Sequence, residues 1–360
     1  MKVNFSVLIV LIFLISCTNQ SKQEGLNYKI LNSTPNEYII PNNPSIRGLD
    51  VFDSETVWLS GSKGIFAVSS DKGKIWKSGT INNDTLLDFR DIVAFGKESA
   101  IAISAGSPAR IYKTTDKGNT WKLTYENNDP NIFFDSFEFW NDKEGIACAD
   151  PLDGDFFFIL THDGGNTWSR IPSELLPKPL AQEGGFAASG TCIALAENGI
   201  AMFGTGGDKA RIILTHDFGK TWKAVDTPIK ANNPTFSIYS VSWIKDETFA
   251  ITGGNYLEPD IADNNFAIST DNGNSWSATP TMPNGFRSCV KPLNKTNTLV
   301  VCGRNGVDLS NDFGETWIKT ELPAYYTFDI SPNEDFIVFA GSEGRVGFIS
   351  LNPQAAARPL

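Results

Sequence analysis

Seven polar residues occupy equivalent positions along the sequence. Each stands at the start of an apolar run of the kind that forms a β-strand. They are Arg47, Arg90, Asp135, Ser189, Tyr239, Arg287 and Thr327. The guanidinium group of arginine is a planar, forked donor that suits carboxylate, sulfate or phosphate groups. If the fold brings these positions together, the three arginines predict a binding site for an anionic ligand.

Acid–base chemistry at the same place would need a carboxyl group and a second proton donor or acceptor. The candidates are Glu183, Asp135 and Tyr239, with Glu183 in the segment that leads to Ser189. Their separations decide whether they can act on a sugar, and no Tyr–Glu nucleophile pair is recognisable. Three interpretations stay open: the polar residues pair with one another and seal a channel, they bind a ligand without chemistry, or they catalyse a reaction.

The sequence offers little for other kinds of site. Its two histidines, His162 and His216, have no cysteines at zinc-ligand spacing. No glycine-rich loop opens a helix, so a nucleotide-binding fingerprint is absent, and we predict no cofactor and no metal. The formal net charge of -11 disfavours nucleic acid as a partner, because binding phosphates needs a basic surface.

The elements that would position these residues are repeats. The motif S/T-x-D-x-G-x-x-W occurs six times, at residues 69–76, 114–121, 161–168, 215–222, 269–276 and 310–317. Successive tryptophans of the motif are 45, 47, 54, 54 and 41 residues apart. A period of this size is typical of the four-stranded blade of a β-propeller.

Each residue type in the motif suits a tight turn. The aspartate can accept hydrogen bonds from backbone N–H groups, the glycine takes a positive φ without strain, and the tryptophan packs a large apolar surface after the turn. The motif resembles the Asp-box, or BNR, repeat of sialidase-like propellers. The chain is similar to the propeller family that includes the photosystem II assembly factor and to bacterial WD40/YVTN/BNR-like lipoproteins. The resemblance implies an all-β, seven-bladed β-propeller and does not by itself imply an enzyme.

The seventh repeat needs a strand from elsewhere in the chain. It begins near Thr327 and lacks both the motif and a fourth strand. We predict that residues 27–34 supply the outer strand of this last blade, which removes an exposed sheet edge. The alternative is six blades followed by a loose seventh segment.

The repeats also predict which face carries the site. In a propeller the inner strands line the central channel, and their first residues share a face with the loops between the second and third strands. The Asp-box turns lie on the opposite face. Three of those loops, at 150–155, 204–209 and 253–265, are long or rich in polar and glycine residues, and the connector 172–188 brings Glu183 to the same face. Since loop elaboration on one face is typical of binding sites, we place the site at this mouth of the channel.

The N-terminus has the pattern of an export signal. Lys2 precedes an apolar run too short to span a membrane, and the run ends in Leu14-Ile15-Ser16-Cys17. This ending resembles the bacterial lipobox and implies lipidation of Cys17; the alternative is an ordinary signal peptide with an incidental cysteine. Thr18 is not the Asp that retains such lipoproteins at the inner membrane, which favours the outer membrane. We expect a signal peptide at 1–16, a tether at 17–26, one propeller at 27–351 and a tail at 352–360.

Cys289 and Cys302 lie symmetrically about the turn at 294–297, so they face each other if that turn joins two strands. In an oxidising compartment such a pair can form a disulfide. Direct cross-strand bridges are geometrically demanding, which favours the alternative that the pair stays reduced.

Two functional hypotheses follow from these patterns. The first is a cell-envelope lipoprotein, attached to the membrane through Cys17, that binds a partner at the arginine-containing mouth without catalysis, as an assembly factor does. The alternative is a glycan-active enzyme, a sialidase-like hydrolase or a lyase, that acts on acidic sugars. The first expects a protein or an acidic glycan as ligand, and the second an acidic oligosaccharide as substrate.

Overall fold

The computed structural model describes residues 30, 33–231 and 233–351. The expected signal peptide, Cys17 and the tether lie outside the described residues, as does the tail from 352 onward. Within the described range the chain forms 29 β-strands and four short 3-10 turns, at Ile81–Asn83, Ser173–Leu175, Glu197–Gly199 and Ser342–Gly344. No helix in that range is long and apolar enough to cross a membrane.

The strands form seven antiparallel sheets, each of which is one blade. The inner strands of neighbouring blades contact one another in a closed ring, so the last blade packs against the first as the first packs against the second. The fold is a seven-bladed β-propeller, as the repeats predict.

The strands are numbered in chain order, and each blade is given from its inner to its outer strand. Blade 1 has β2 (Ile46–Val51), β3 (Val57–Gly61), β4 (Ile65–Ser69) and β5 (Lys77–Thr80). Blade 2 has β6 (Phe89–Ala94), β7 (Ala100–Ser104), β8 (Ala109–Thr114) and β9 (Lys122–Asn127). Blade 3 has β10 (Phe134–Phe139), β11 (Gly145–Leu152), β12 (Asp155–Thr161) and β13 (Ser169–Arg170). Blade 4 has β14 (Ile193–Ala196), β15 (Ile200–Gly204), β17 (Arg211–Thr215) and β18 (Lys223–Asp226).

The remaining blades follow the same order. Blade 5 has β19 (Asn233–Lys245), β20 (Thr248–Asn255), β21 (Phe266–Ser269) and β22 (Ser277–Ala278), with β16 (Gly206–Gly207) added beside β19. Blade 6 has β23 (Cys289–Leu293), β24 (Thr298–Gly303), β25 (Gly306–Ser310) and β26 (Ile318–Lys319). Blade 7 has β27 (Thr327–Ile330), β28 (Phe336–Ala340), β29 (Arg345–Ser350) and β1 (Asn36–Ile39).

The core lies between the blades. Strands β3, β4 and β7 are buried at every residue because a neighbouring blade covers each of their faces, and they therefore read as continuous apolar runs. Between blades 2 and 3, for example, Ile103, Phe134 and Phe157 belong to one apolar cluster. Outer strands such as β13, β22 and β26 have two exposed residues each, so the blades are held together by their inner and middle strands.

The N-terminal segment closes the ring, but the closing strand is not the one predicted. Strand β1 supplies it, with Tyr38 opposite Val346 of β29, so the strand begins two residues beyond the predicted segment 27–34. Tyr38 also packs edge-on against Phe348, with ring centroids 5.9 Å apart. Ile30, within the predicted segment, is instead fully buried in the apolar cluster between blades 6 and 7, where it packs as an anchor ahead of the strand.

The six repeated turns share one set of hydrogen bonds. In the first of them, Ser69 Oγ donates to Asp71 Oδ1 at 2.8 Å and accepts from the Gly73 N–H at 2.9 Å, while Asp71 Oδ1 accepts from the Ile75 N–H at 2.9 Å. Gly73 has a φ of 76°, where a side chain would be strained. Because the turn satisfies its own backbone, it needs no contribution from the channel or from a ligand.

Candidate functional site

A cavity of about 740 Å³, here called the upper cavity, opens at the mouth of the channel where the inner strands begin. Three arginines line it, Arg47, Arg90 and Arg304. Aromatic side chains form much of the remaining wall: Phe133, Phe186, Tyr239, Tyr256, Phe286 and Tyr326. Guanidinium groups beside aromatic rings suit a ligand that carries an anionic group on an apolar or aromatic body.

Backbone carbonyls hold two of the arginines. Nη1 of Arg47 donates to the carbonyl of Ala188 at 3.0 Å, and Nη1 of Arg90 donates to the carbonyl of Ala187 at 3.3 Å. Arg90 Nε also pairs with Asp88 at 2.8 Å. Burial and the neighbouring positive charge of Arg90 lower the pKa of Arg47. The two guanidinium groups are thus fixed in place while their positive charges are only partly compensated.

Arg304 is a site residue that the sequence pattern missed. It lies in the tight turn between β24 and β25 of blade 6, and its Nη1 donates to the carbonyl of Tyr256 at 3.2 Å. That turn belongs to the class of loop between second and third strands that the repeats place on this face. The repeat pattern therefore contains a signal for Arg304, although this turn is shorter than the loops at 150–155, 204–209 and 253–265.

Arg287 does not reach the upper cavity, because its strand is shifted by one residue from the predicted alignment. Gly303 lies opposite Arg287 in blade 6 in the way that Gly61 lies opposite Ile46 in blade 1. Arg287 therefore corresponds to the buried Ile46, and Ser288 takes the cavity-lining position that Arg47 has in blade 1. A shift of one residue turns a side chain to the other face of a strand.

The buried Arg287 is neutralised inside blade 6. Its Nε and Nη2 donate to Asp308 Oδ2 at 3.0 and 2.5 Å, and both side chains are fully buried. Asp308 also accepts from the Asn284 N–H at 2.8 Å. This arrangement leaves no free positive charge, so Arg287 acts as a structural ion pair and cannot contribute to an arginine triad at the mouth.

Glu183 lines the upper cavity, but its carboxylate is fully engaged. It accepts from Arg211 Nε at 2.9 Å and Nη2 at 2.5 Å, from Thr205 Oγ1 at 2.7 Å and from the Leu180 N–H at 2.7 Å. The Glu183 side chain is completely buried in this ion pair. A carboxylate with four donors is not available as a general base, and it instead fastens the connector to β17.

Asp135 and Asp150 lie beneath the connector, at its two consecutive glycines. An added Cβ at Gly184 would lie 2.3 Å from Asp150 Oδ1, and one at Gly185 would lie 2.7 Å from Asp135 Oδ2. Asp150 lines the upper cavity and accepts from the Gly185 N–H at 2.9 Å. Asp135 is 1% exposed, and neither of its oxygens has a well-formed hydrogen bond among the described residues.

Burial is the main cause of the pKa shifts of both carboxyl groups. It raises the pKa of Asp150 from 3.8 to about 6. Burial and the charge of Asp150 together raise the pKa of Asp135 well above its usual range. Burial therefore disfavours the charged form of Asp135, which lies beneath the cavity wall and does not line the cavity itself.

Tyr239 lines the upper cavity as an aromatic wall. Its hydroxyl donates to the carbonyl of Thr235 at 3.0 Å, and its ring centroid lies 4.6 Å from that of Phe186 and 4.7 Å from that of Phe286. Burial raises the pKa of Tyr239. The predicted acid–base set of Glu183, Asp135 and Tyr239 is thus divided among an ion pair, a buried carboxyl group and an aromatic wall.

The segment Ala187–Thr191, here called the plug, crosses the centre of the channel. Ser189 lies within it, so the inner strand of blade 4 starts at Ile193 and not at Ser189 as the alignment predicts. Polar atoms of the plug contact all six other blades, at Arg47 of blade 1, Arg90 of blade 2, Ser136 of blade 3, Ser240 and Val241 of blade 5, Ser288 of blade 6 and Thr327 of blade 7. The plug forms the floor of the upper cavity. Two of the predicted polar residues link it to other blades: Ser189 lies within the plug, and Thr327 of β27 donates to the Ser189 carbonyl.

A second cavity of about 400 Å³, here called the lower cavity, lies on the other side of the plug. Its charged lining was not predicted and consists of Asp50, Asp91, Glu138, Lys291, Asp329 and Glu334. Three of these carboxylates accept a backbone N–H from the next inner strand, Asp50 from Ala94, Asp91 from Phe137 and Asp329 from Val51. Inner strands present unpaired backbone groups to the channel, and these side chains satisfy them.

Cys289 and Cys302 are direct partners in the antiparallel pairing of β23 with β24. The predicted juxtaposition is therefore present. Both cysteines are buried and their thiols are free.

No family model matches the chain, and no curated protein matches it. Among solved structures, the chain is similar to YCF48 bound to a D1 peptide, with a TM-score of 0.64, 14% sequence identity and coverage of 89% of this chain and 98% of that one. It is also similar to YCF48 from Cyanidioschyzon merolae, with a TM-score of 0.62, 13% identity and coverage of 88% and 99%. A third similar structure is the Neurospora crassa Pan2 WD40 domain, with a TM-score of 0.59, 12% identity and coverage of 86% and 90%. These similarities support the propeller fold.

Proposed function

We propose that this protein is a lipid-anchored propeller of the cell envelope that binds an anionic segment of a partner protein in the upper cavity and catalyses no reaction. One observation carries the proposal. Guanidinium groups of Arg47, Arg90 and Arg304 line one cavity beside aromatic rings, and Arg47 is held by a neutral acceptor. A carboxylate of the partner would neutralise the remaining positive charge of these arginines.

The similar structure of YCF48 bound to a D1 peptide supports a protein segment as the ligand. It indicates that a propeller of this shape can bind a peptide. The six repeated turns further suggest membership of the BNR-repeat propellers, whose shared scaffold carries varied loops on one face.

The lipid anchor remains part of the proposal, and the direction of β1 is compatible with one orientation of the propeller. In β1, Asn36 lies opposite Phe348 and Ile39 opposite Arg345. Arg345 follows the loop that joins the second and third strands of blade 7, so β1 runs from the Asp-box face toward the face of the upper cavity. The first residue of β1, Asn36, therefore lies toward the Asp-box face. An anchor at Cys17 would draw that face toward the membrane and leave the upper cavity open to a partner.

The glycan-active alternative has no comparable observation in its favour. Glu183 is held by Arg211, Asp135 is buried beneath the connector, and Arg287 is paired inside blade 6. We therefore propose binding alone.

Site-specific photo-crosslinking in cells tests the proposal. A crosslinker at Leu257, which is 65% exposed in a loop of the cavity face, should capture a partner protein. Replacement of Arg47 and Arg90 by alanine should reduce capture about tenfold or more, since each charge-assisted hydrogen bond contributes roughly 1.5–3 kcal/mol. The matched control is Arg170→Ala, because Arg170 stacks on Phe157, with Cζ 4.4 Å from the ring centroid, outside the cavity. Undiminished capture by the double variant would contradict the proposal.

The anchor has its own test. Metabolic labelling with a fatty acid should mark the wild-type chain, and Cys17→Ser should abolish the label and release the protein from the membrane fraction. A labelled Cys17→Ser variant would refute lipidation at Cys17.

A further inference from the structure

We infer that the plug, Ala187–Thr191, is the element that positions two arginines of the anion site, Arg47 and Arg90; this inference rests on the proposed function. Five consecutive carbonyls of the plug each accept a hydrogen bond from a different blade. The donors, in order from Ala187 to Thr191, are Arg90 of blade 2, Arg47 of blade 1, Thr327 of blade 7, Ser136 of blade 3 and Val241 of blade 5.

The first two carbonyls set the direction of the guanidinium groups. Ala188 accepts from Arg47 and Ala187 from Arg90. A peptide carbonyl has no net charge, so it fixes a guanidinium without neutralising it. A carboxylate acceptor, such as Asp308 at Arg287, fixes the group and also cancels its charge. Arg47 has the Ala188 carbonyl as its acceptor and keeps its charge. Arg90 also pairs with Asp88 at 2.8 Å, but that pair is partly exposed, whereas the pair of Arg287 with Asp308 is fully buried.

The next three carbonyls hold the plug itself. Thr327 Oγ1 donates to Ser189 at 3.0 Å, Ser136 Oγ donates to Gly190 at 2.8 Å, and the Val241 N–H donates to Thr191 at 2.8 Å. Ser189 Oγ in turn donates to the carbonyl of Ser288 at 2.6 Å. Because these links reach blades on all sides, displacing the plug at one link also moves the carbonyls that orient the arginines.

Small residues are required at the centre of the channel. Gly190 has a φ of 70°, and an added Cβ there would lie 2.3 Å from Asp91 Oδ1. Upstream, the buried pair of Glu183 with Arg211 fastens the chain that leads into the plug. We assign Glu183, Thr327 and Ser136 as positioning residues, since their polar groups are engaged within the protein and they act on the arginines through the plug.

The test removes one link of the plug without changing its shape. Thr327→Val keeps the volume of a fully buried side chain and deletes the hydroxyl that donates to Ser189. The matched control is Thr320→Val, since Thr320 Oγ1 is also buried and donates to a backbone carbonyl, that of Val307, at 2.9 Å, away from the plug. Gly190→Ala is a second, stronger variant.

The first readout needs no ligand. In ¹⁵N spectra of the purified protein, the guanidinium signals of Arg47 and Arg90, identified with lysine variants, should show restricted rotation in the wild type. Thr327→Val and Gly190→Ala should release that restriction, and Thr320→Val should not. Unchanged guanidinium signals in a folded Thr327→Val protein would overturn the inference, whether or not Gly190→Ala folds.

The second readout separates this inference from the proposed function. The probes are 2-naphthoate and its uncharged amide. We expect Thr327→Val to weaken binding of the acid about fivefold, the effect of roughly one hydrogen bond, with little change for the amide. If the wild type binds both probes equally, the proposed anion site fails, and the ¹⁵N spectra still decide whether the plug orients the arginines.

Discussion

Asp150→Asn should make the protein more stable at neutral pH, although it alters a cavity residue. Burial raises the pKa of Asp150 from 3.8 to about 6 in the folded protein. A carboxyl group whose folded pKa lies above its unfolded pKa contributes stability that is fully present below the unfolded pKa and is lost as the pH rises through the folded pKa. The wild type therefore loses stability between about pH 4 and pH 6. At 1.36 kcal/mol for each pH unit, the loss is about 3 kcal/mol.

The variant keeps the local geometry, because the asparagine oxygen can still accept from the Gly185 N–H, which lies 2.9 Å from Asp150 Oδ1. Urea unfolding followed by tryptophan fluorescence should give equal stabilities at pH 4 and a gain of about 2–3 kcal/mol for Asp150→Asn at pH 7.5. The control is Asp226→Asn, because Asp226 forms an exposed pair with Lys209 and should change stability by less than about 1 kcal/mol at both pH values. A gain that is the same at both pH values, or a loss at pH 7.5, would refute the reasoning.

Three further predictions concern the scaffold. Arg287→Ile should destabilise the protein by about 3–5 kcal/mol in urea unfolding, because it leaves Asp308 buried and unpaired, and adding Asp308→Ala should restore much of that loss. Gly185→Ala should lower stability by about 1–3 kcal/mol, since its Cβ would lie 2.4 Å from an aromatic carbon, whereas Gly106→Ala, with 3.8 Å to its nearest neighbour, should change it by less than about 0.5 kcal/mol. Asp116→Ala should lower Tm in calorimetry at pH 7 and lower it much less near pH 2, because hydrogen bonds from Thr120 lower the pKa of Asp116 to about 2 and the stability they contribute is lost as the pH falls through that value.

The fold could be predicted from the sequence because its repeated turn is stabilised by hydrogen bonds between residues that are close in sequence. Each box closes its hydrogen bonds within a few residues, as Ser69 and Asp71 do, so the motif can be recognised without knowing what surrounds it. The closing strand could not be located as well. Ile30 looks like the start of a strand, yet its burial between blades 6 and 7 is decided by residues from the far end of the chain.

Only part of the site was predicted, because the prediction depends on aligning the inner strands correctly. Arg47 and Arg90 were found because the inner-strand alignment is correct in blades 1 and 2. In blade 6 the alignment is wrong by one residue, which turns Arg287 into the core. A sequence signal for this error exists in Asp308, two residues before the motif serine. The corresponding residues of the five other motif-bearing blades are uncharged, namely Ala67, Tyr112, Ile159, Ile213 and Ala267. The plug could not be predicted, because its hydrogen bonds come from six other blades.

The protein as a whole is acidic, with a formal net charge of -11, yet it presents a cationic cavity. At physiological ionic strength charges are screened over about 8 Å, so the arginines attract an anionic group only once it has entered the mouth. Long-range attraction therefore cannot bring an acidic partner to this surface, and contact must come first. Leu86 and Leu257, which are 93% and 65% exposed, lie in segments of the cavity face and offer apolar area for that contact. Under the proposed function, the rim would then decide whether a partner docks, and the arginines held by the plug would decide which docked segment stays.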